Sequence, residues 1–440
     1  MKHNVVVTGL GLVTPLKPFK GVDVFWKALC SGEDAVKRMP PPMLDLGKEW
    51  LTARIDIPGK FGNINPEDKI LFIAEEAMRM AMEDAGLKGE NPPTSPFAKG
   101  GLLKFPPLLK GGRGGFFKIG LSLGTVLGNV LFKERRLMRE FSPLSRGDEG
   151  VCPPLWKRGV RGDFQKKNIN KKESLSYITS YLASKFNLNG FCITVSTACA
   201  SGTDAIGIAS RKIAAGKADI MIAGGADVLS DFAITGFHVL QALTGEIVRP
   251  FDKNRSGLAL GEGAAFIVLE SEEHAAGRGA KIYGRILGYA SRSDAHHLTG
   301  PHREGRGLAD AMDQALSGAK IDPHEVNYIN AHGTGTLYND LMETKAIKKV
   351  FGKTAYDIPV NSTKSMLGHS FGAAGAIETI CCLLSIKNKR IHPTINYSEK
   401  DPECDLDYVP NASRRHEVNI AMSLSSGFGG QNSVIIAGGV

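Results

Sequence analysis

Val195-Ser196-Thr197-Ala198-Cys199-Ala200-Ser201-Gly202 reads as a strand that turns directly into a helix. The helix continues through Thr203-Asp204-Ala205-Ile206-Gly207-Ile208-Ala209 and stops at Gly216. It is rich in small residues and apolar nearly all round, as expected of a helix buried between sheets. A second such helix follows His369, from Ser370-Phe371-Gly372-Ala373-Ala374-Gly375-Ala376-Ile377 to about Lys387. Each starts beside a chemically capable residue. Two similar units in two halves of one chain point to a duplicated fold with its site at their junction.

Outward from these corners, short apolar runs alternate with helical spacing. Val5–Gly9, Ile119–Gly124, Ala218–Gly224, Ala264–Leu269 and Ile282–Tyr289 read as strands, as do Val326–Asn330, Ala421–Ser426 and Ser433–Ala437. Ile70–Ala85, Tyr177–Phe186 and Gly307–Ala319 read as helices. The pattern is α/β. A chain of 440 residues with 42% apolar and 22% charged content is ordinary for a globular enzyme. No run approaches the ~20 apolar residues that span a bilayer. Seven cysteines, odd in number and without a C-x-x-C pair, argue against a disulfide framework or a zinc site and favour the cytoplasm.

The net charge of +9 is local. Residues 91–118 carry five Lys/Arg and no acid, and residues 142–172 carry eight Lys/Arg and three acids. Together they hold a net +10, so the rest of the chain sums to −1. The two segments resemble each other: Ser95-Pro96-Phe97-Ala98-Lys99-Gly100 parallels Ser142-Pro143-Leu144-Ser145-Arg146-Gly147, and Pro106-Pro107-Leu108-Leu109-Lys110 parallels Pro153-Pro154-Leu155-Trp156-Lys157. Their Pro/Gly density and lack of hydrophobic period read as a duplicated surface insertion. The basicity therefore belongs to the inserts, which argues against a nucleic-acid-binding function for the body.

A thiol at a helix start meets unpaired N–H groups and the positive dipole end, which favour the nucleophilic thiolate; Cys199 is the candidate. His332 lies in Asn330-Ala331-His332-Gly333-Thr334-Gly335-Thr336, where two glycines keep the backbone open and Thr334 and Thr336 offer hydroxyls to a polar ligand arm. No G-x-x-x-x-G-K-[ST] occurs, so a nucleotide site is unsupported. His369 follows Asn361-Ser362-Thr363-Lys364-Ser365-Met366-Leu367-Gly368. The nearby Lys364 cation disfavours a protonated imidazole, and Glu378, in the helix that follows His369, can neutralise Lys364 or serve only as a structural ion-pair partner. His296, His297 and His302 lack Cys or acidic partners at ligand spacing, so no metal is expected.

These motifs, with Ser426-Gly427-Phe428-Gly429-Gly430-Gln431-Asn432, Arg249-Pro250-Phe251-Asp252-Lys253 and Gly261-Glu262-Gly263-Ala264, resemble the elongating β-ketoacyl-acyl-carrier-protein synthases. The resemblance covers nearly everything outside the inserts. It implies the thiolase-like duplicated fold, five layers α-β-α-β-α, with halves at 1–275 and 276–440. It implies Cys199 as acyl acceptor, the backbone N–H groups of Cys199 and Phe428 as oxyanion hole, and Phe428 as gate. His332 and His369, with Lys364 and Glu378, would serve malonyl decarboxylation, and Thr334 and Thr336 would contact pantetheine. It also implies an acyltransferase in fatty-acid elongation, partnered by acyl carrier protein. The assembly would be a homodimer, or a heterodimer with a related subunit. No cofactor is implied beyond the phosphopantetheine arm that carries the substrates.

Ser426 stands where the family often has an aromatic residue, and Gln431 where Thr is usual. With the Gly335-Thr336-Leu337-Tyr338-Asn339-Asp340 stretch, these departures keep a polyketide or aryl-polyene ketosynthase open as an alternative. A non-catalytic, chain-length-factor-like partner subunit is a third reading; such subunits usually lack the nucleophile, which is present here.

Overall fold

The computed structural model describes residues 3–39, 50–57, 66–87, 118–128, 172 and 174–440. Both inserts lie outside the described residues except for Lys118 and Lys172. In chain order the strands of the first half are β1 (Val5–Val13), β2 (Lys37–Met39), β3 (Trp50–Ala53), β4 (Ile119–Gly124), β5 (Cys192–Val195), β6 (Ile220–Asp227), β7 (Leu260–Gly261) and β8 (Gly263–Ser271). The second half supplies β9 (Gly284–Ser293), β10 (Tyr328–Asn330), β11 (Val360–Asn361), β12 (Arg390–Ile391), β13 (Arg414–Arg415), β14 (Ile420–Gly427) and β15 (Gln431–Gly438).

Ten of these form one sheet, in the order β11-β10-β14-β15-β9-β1-β8-β6-β4-β5. Cut between β9 and β1, it yields two sets of five whose topology is the same. Counted along the chain, each set runs third, second, fourth, fifth, first from its outer edge. The fifth strand pairs antiparallel with the first and the fourth, and the second is parallel to the third and the fourth, in both sets. The two first strands, β1 and β9, join the sets through Val6↔Arg285 and Val7↔Gly284. The duplication inferred from two helices is thus written in the strand order.

The small-residue helices Ser201–Ala214 and Ala374–Asn388 pack on each other and on strands of both sets, forming the central layer. Every side chain from Ala374 to Ile386 is buried, as an all-round apolar surface requires. Close approach depends on glycine: a Cβ on Gly375 would collide with Thr203 Oγ1, and one on Gly202 with the Gly372 carbonyl oxygen. Helices Pro66–Asp84 and Tyr177–Lys185 cover the outer face of the first set, and Arg306–Ala319 covers the second, with Leu337–Phe351 against it. Three hydrophobic clusters fill the spaces between these layers. The result is the five-layer α-β-α-β-α arrangement.

Two expectations need correction. His369 does not begin the long helix: a short helix Lys364–Leu367 precedes it, a 3₁₀ turn Phe371–Ala373 follows, and the α-helix starts only at Ala374. Cys192 follows a strand pattern with no open corner, which reads from sequence as a buried packing cysteine. It is nevertheless exposed, because β5 lies at the sheet edge, with β4 its only neighbour among the described strands. No helix among the described residues is long and apolar enough to cross a membrane.

Candidate active site

The fold brings the Cys199 corner, the His332 loop and the His369 turn to the junction of the two halves. Ala198 takes a positive φ of 50°, a strained conformation that lifts Cys199 onto the start of its helix. Ser201 fixes the corner by donating its hydroxyl to the Ala198 carbonyl at 2.5 Å and accepting from Thr197 N at 2.9 Å. Thr197 in turn donates to buried Asp204 at 2.6 Å. The chain after β14 closes on this corner. A Cβ on Gly427 would lie 2.9 Å from the Cys199 amide nitrogen, which places the Gly427-Phe428 backbone beside that amide.

His369 is held by a short bridge to β7: its N–H donates to Ala259 O at 2.7 Å and its carbonyl accepts from Gly261 N at 2.8 Å. Its ring Nδ1 accepts from the Phe371 amide at 3.1 Å, so a neutral imidazole carries its proton on Nε2. That buried Nε2 has no partner among the described residues, and neither has His332 Nδ1. The two rings meet edge to face at 5.1 Å.

Burial, reinforced by the Lys364 cation, holds both imidazoles well below the usual histidine range, so both are neutral at working pH. Lys364 itself is buried in an ion pair with Glu378, as the sequence suggested. Glu378 is pushed up to about 7 by burial, against the pull of Lys364. Cys199 departs from expectation: burial drives its thiol up to about 12, although Lys364 pulls it down. In this closed site desolvation of the thiolate outweighs the helix start, and the resting group is a thiol.

Thr334 and Thr336 share a hydrogen bond at 2.9 Å on the His332 loop, Thr334 buried and Thr336 half-buried. Phe428 is half-buried and stacks on Phe237 at 5.3 Å; Phe237 meets Phe371 edge-on at 5.8 Å, and Phe371 stacks on His369 at 6.0 Å. An unbroken run of rings therefore connects the expected gate to the second histidine.

Comparison with known proteins agrees with this geometry. Residues 147–275 match the profile "Beta-ketoacyl synthase, N-terminal domain", and residues 283–398 match "Beta-ketoacyl synthase, C-terminal domain". A 3-oxoacyl-[acyl-carrier-protein] synthase 2 of Coxiella burnetii is 36% identical, aligned over 99% of this chain and 98% of its own. The chain belongs to the β-ketoacyl synthase family. Such synthases are acyltransferases, and this chain is one of them. The ketoacyl synthase alpha subunit of the tetracenomycin polyketide synthase of Streptomyces glaucescens is 34% identical, over 99% of this chain and 97% of its own. Among solved structures, a type II polyketide ketosynthase bound to its acyl-carrier protein and a hexaketide superposes with a TM-score of 0.84 at 34% identity, each chain fully covered.

Three acids that hold this synthase's site together escaped the sequence reading. Glu343 accepts the His332 amide at 2.5 Å and the Gly333 amide at 2.8 Å, and burial pushes it up to about 8. Asp340 accepts from Gly335 N at 3.1 Å and Phe251 N at 2.7 Å. Asp227, raised to about 6 by burial, accepts from Thr125 Oγ1, Val126 N, Leu127 N and Gly372 N, tying the first half to the turn after His369. Their one sequence signal is an acid in the first turns of a helix or at a strand end next to a glycine-rich loop, where unpaired backbone N–H groups need acceptors.

Proposed function

We propose that this synthase performs decarboxylative Claisen condensation, extending an acyl chain held on Cys199 with malonyl carried by acyl carrier protein, in fatty-acid elongation. The thiol of Cys199 attacks the acyl thioester, and the backbone N–H groups of Cys199 and Phe428 receive the developing oxyanion. The carrier thiol leaves with the proton that Cys199 gives up. Malonyl-carrier then loses carbon dioxide, and its enolate oxygen is met by His332 and His369 as neutral donors. The enolate carbon attacks the acyl carbon, Cys199 is expelled as thiolate and regains a proton, and the β-ketoacyl product stays on the carrier. Lys364 keeps the imidazoles neutral, Glu378 holds Lys364 in place as its ion-pair partner, and Thr334 and Thr336 hold the pantetheine arm. No cofactor takes part beyond that arm.

The observation that supports this most is the buried His369 Nε2–H, which has no acceptor among the described residues, beside an equally unpartnered His332 Nδ1. A buried donor left unpaired costs about 1–3 kcal/mol, and a developing enolate would supply its partner. The same reading divides the halves at residues 275 and 276, just inside the helix Glu272–Gly277 that follows β8. It also puts a second copy, or a related subunit, against the outer edge of β5, which is unpaired among the described residues, since an unpaired edge strand invites pairing. A monomer in native mass spectrometry, alone and with such a subunit, would remove that part.

Similarity to the tetracenomycin synthase subunit and to the hexaketide-bound ketosynthase favours polyketide assembly as a second reading. Intact-mass analysis of the carrier-bound product separates the two. Given acyl-carriers of graded length, excess malonyl-carrier and no reductase, fatty-acid elongation yields one added β-keto unit, whereas polyketide assembly yields several. Free acid with no extended product would contradict both.

A further inference from the structure

Behind His332 and Lys364 lies a buried polar cluster to which the mechanism gives no task. Tyr328, Asn330, Asn361, Thr363 and His392 are all buried. Donor and acceptor roles can be followed around it. Tyr328 donates its hydroxyl to Asn361 Oδ1 at 2.8 Å. The Asn361 amide gives one hydrogen to the His392 carbonyl at 2.6 Å and the other to His392 Nδ1 at 2.7 Å. With Nδ1 accepting, the neutral ring carries its proton on Nε2, which donates to Thr363 Oγ1 at 3.2 Å. The Asn330 amide donates to the same Thr363 oxygen at 2.9 Å and to Tyr328 Oη at 3.0 Å. The circuit closes.

Its position gives it a use. Asn330 ends β10, two residues before His332, and pairs with Asn361 of β11. Thr363 immediately precedes Lys364. The ring thus joins the strand that delivers one imidazole to the turn that delivers the cation, and His392 reaches it from a separate segment, with its ring edge-on to Trp26 at 6.1 Å. His392 is the only one of the five that lies outside those two segments. Burial pushes it down to about 3, so it stays neutral and keeps Nδ1 as an acceptor at working pH.

We propose that His392 is a positioning residue for decarboxylation, fixing His332 and Lys364 relative to each other through this closed ring of hydrogen bonds. The proposal rests on the reaction assigned above. Each link of the ring is made, although Asn330 Oδ1, outside it, has no partner among the described residues. A closed buried ring resists displacement, because moving one member leaves others unpaired. Misplacement of a reacting group by about 1 Å can cost about a hundredfold in rate.

The test compares His392→Ala, His392→Gln and Thr363→Val with the unaltered enzyme in two assays: acylation of Cys199 from acyl-carrier, and carbon dioxide release from malonyl-carrier. His392→Gln keeps a donor near the Nε2 position; Thr363→Val keeps shape but removes the shared oxygen. In His392→Ala and Thr363→Val, kcat for carbon dioxide release should fall about ten- to a hundredfold, with KM unchanged and acylation within about twofold. His392→Gln should recover most of the loss. Unchanged carbon dioxide release in a folded His392→Ala, an equal fall in both assays, or no recovery with Gln would overturn the proposal. If His392→Ala does not fold, Thr363→Val and His392→Gln decide by the same criteria. An unaltered enzyme that acylates Cys199 but releases no carbon dioxide would instead refute the assigned reaction.

Discussion

Lys364 acts on its neighbours through charge. It pulls Cys199 down, opposes the protonation of His332 and His369, and is balanced by Glu378. A cation beside an imidazole disfavours imidazolium, so removing it must raise both histidines toward the ordinary value of about 6.5. For Lys364→Met we expect the acid-side fall in carbon dioxide release from malonyl-carrier to set in at a higher pH than in the unaltered enzyme, because burial still holds both imidazoles down but the cation no longer adds to it. Coincident profiles would remove Lys364 from this role. The sign of this effect was legible from Lys364 standing five residues before His369. The state of Cys199 was not, because a helix start argues for thiolate while complete burial argues against it, and only the packed structure shows which prevails.

At the level of elements, hydrophobic period placed the strands well. β4 matches its expected range residue for residue, and β14 and β15 extend theirs by a residue or two at each end. The turn around His369 was misjudged because Gly368, Phe371 and the short 3₁₀ segment break what reads as one helix. The polar anchor at Glu270 was invisible because one partner, Thr8, is 262 residues away and the buried site that gathers the others exists only once the chain is folded. Glu270 on β8 accepts from Thr8 on β1, and from His274 and Arg278 on and just beyond the helix that leads into the second half. Arg278, His274 and Thr8 overcome burial and hold Glu270 down at about 2. A carboxyl lowered in the folded state stabilises above its unfolded value of about 4.3 and loses that contribution as pH falls toward about 2. Glu270→Gln should therefore cost roughly 3 kcal/mol at pH about 7, read by chemical denaturation, with the gap to the unaltered protein about halved near pH about 3 and closing only below about 2. A gap independent of pH would show that the loss is packing alone.

In the proposed mechanism the whole molecule divides its chemistry between two like halves. One presents Cys199 at the start of a buried helix; the other presents His332 and His369 at two glycine-rich turns after β10 and the helix Lys364–Leu367. The paired small-residue helices made this duplication readable from sequence, since an apolar surface on all sides requires a layer above and below. The strand order 3-2-4-5-1 in each half could not be read, because pairing depends on partners far apart in the chain. The central claim is that the acyl-accepting thiol belongs to the first half and the enolate donors to the second. Radiolabelled acyl-enzyme formation and carbon dioxide release, measured side by side in Cys199→Ala, His332→Ala and His369→Ala, test it most directly. Cys199→Ala should form no acyl-enzyme. Each histidine variant should keep substantial acylation and lose decarboxylation by about a hundred- to a thousandfold, the scale of a lost oxyanion donor. If both histidine variants stop acylation and decarboxylation equally, the site works as a Cys-His nucleophile-base pair, and the division of labour described here is wrong.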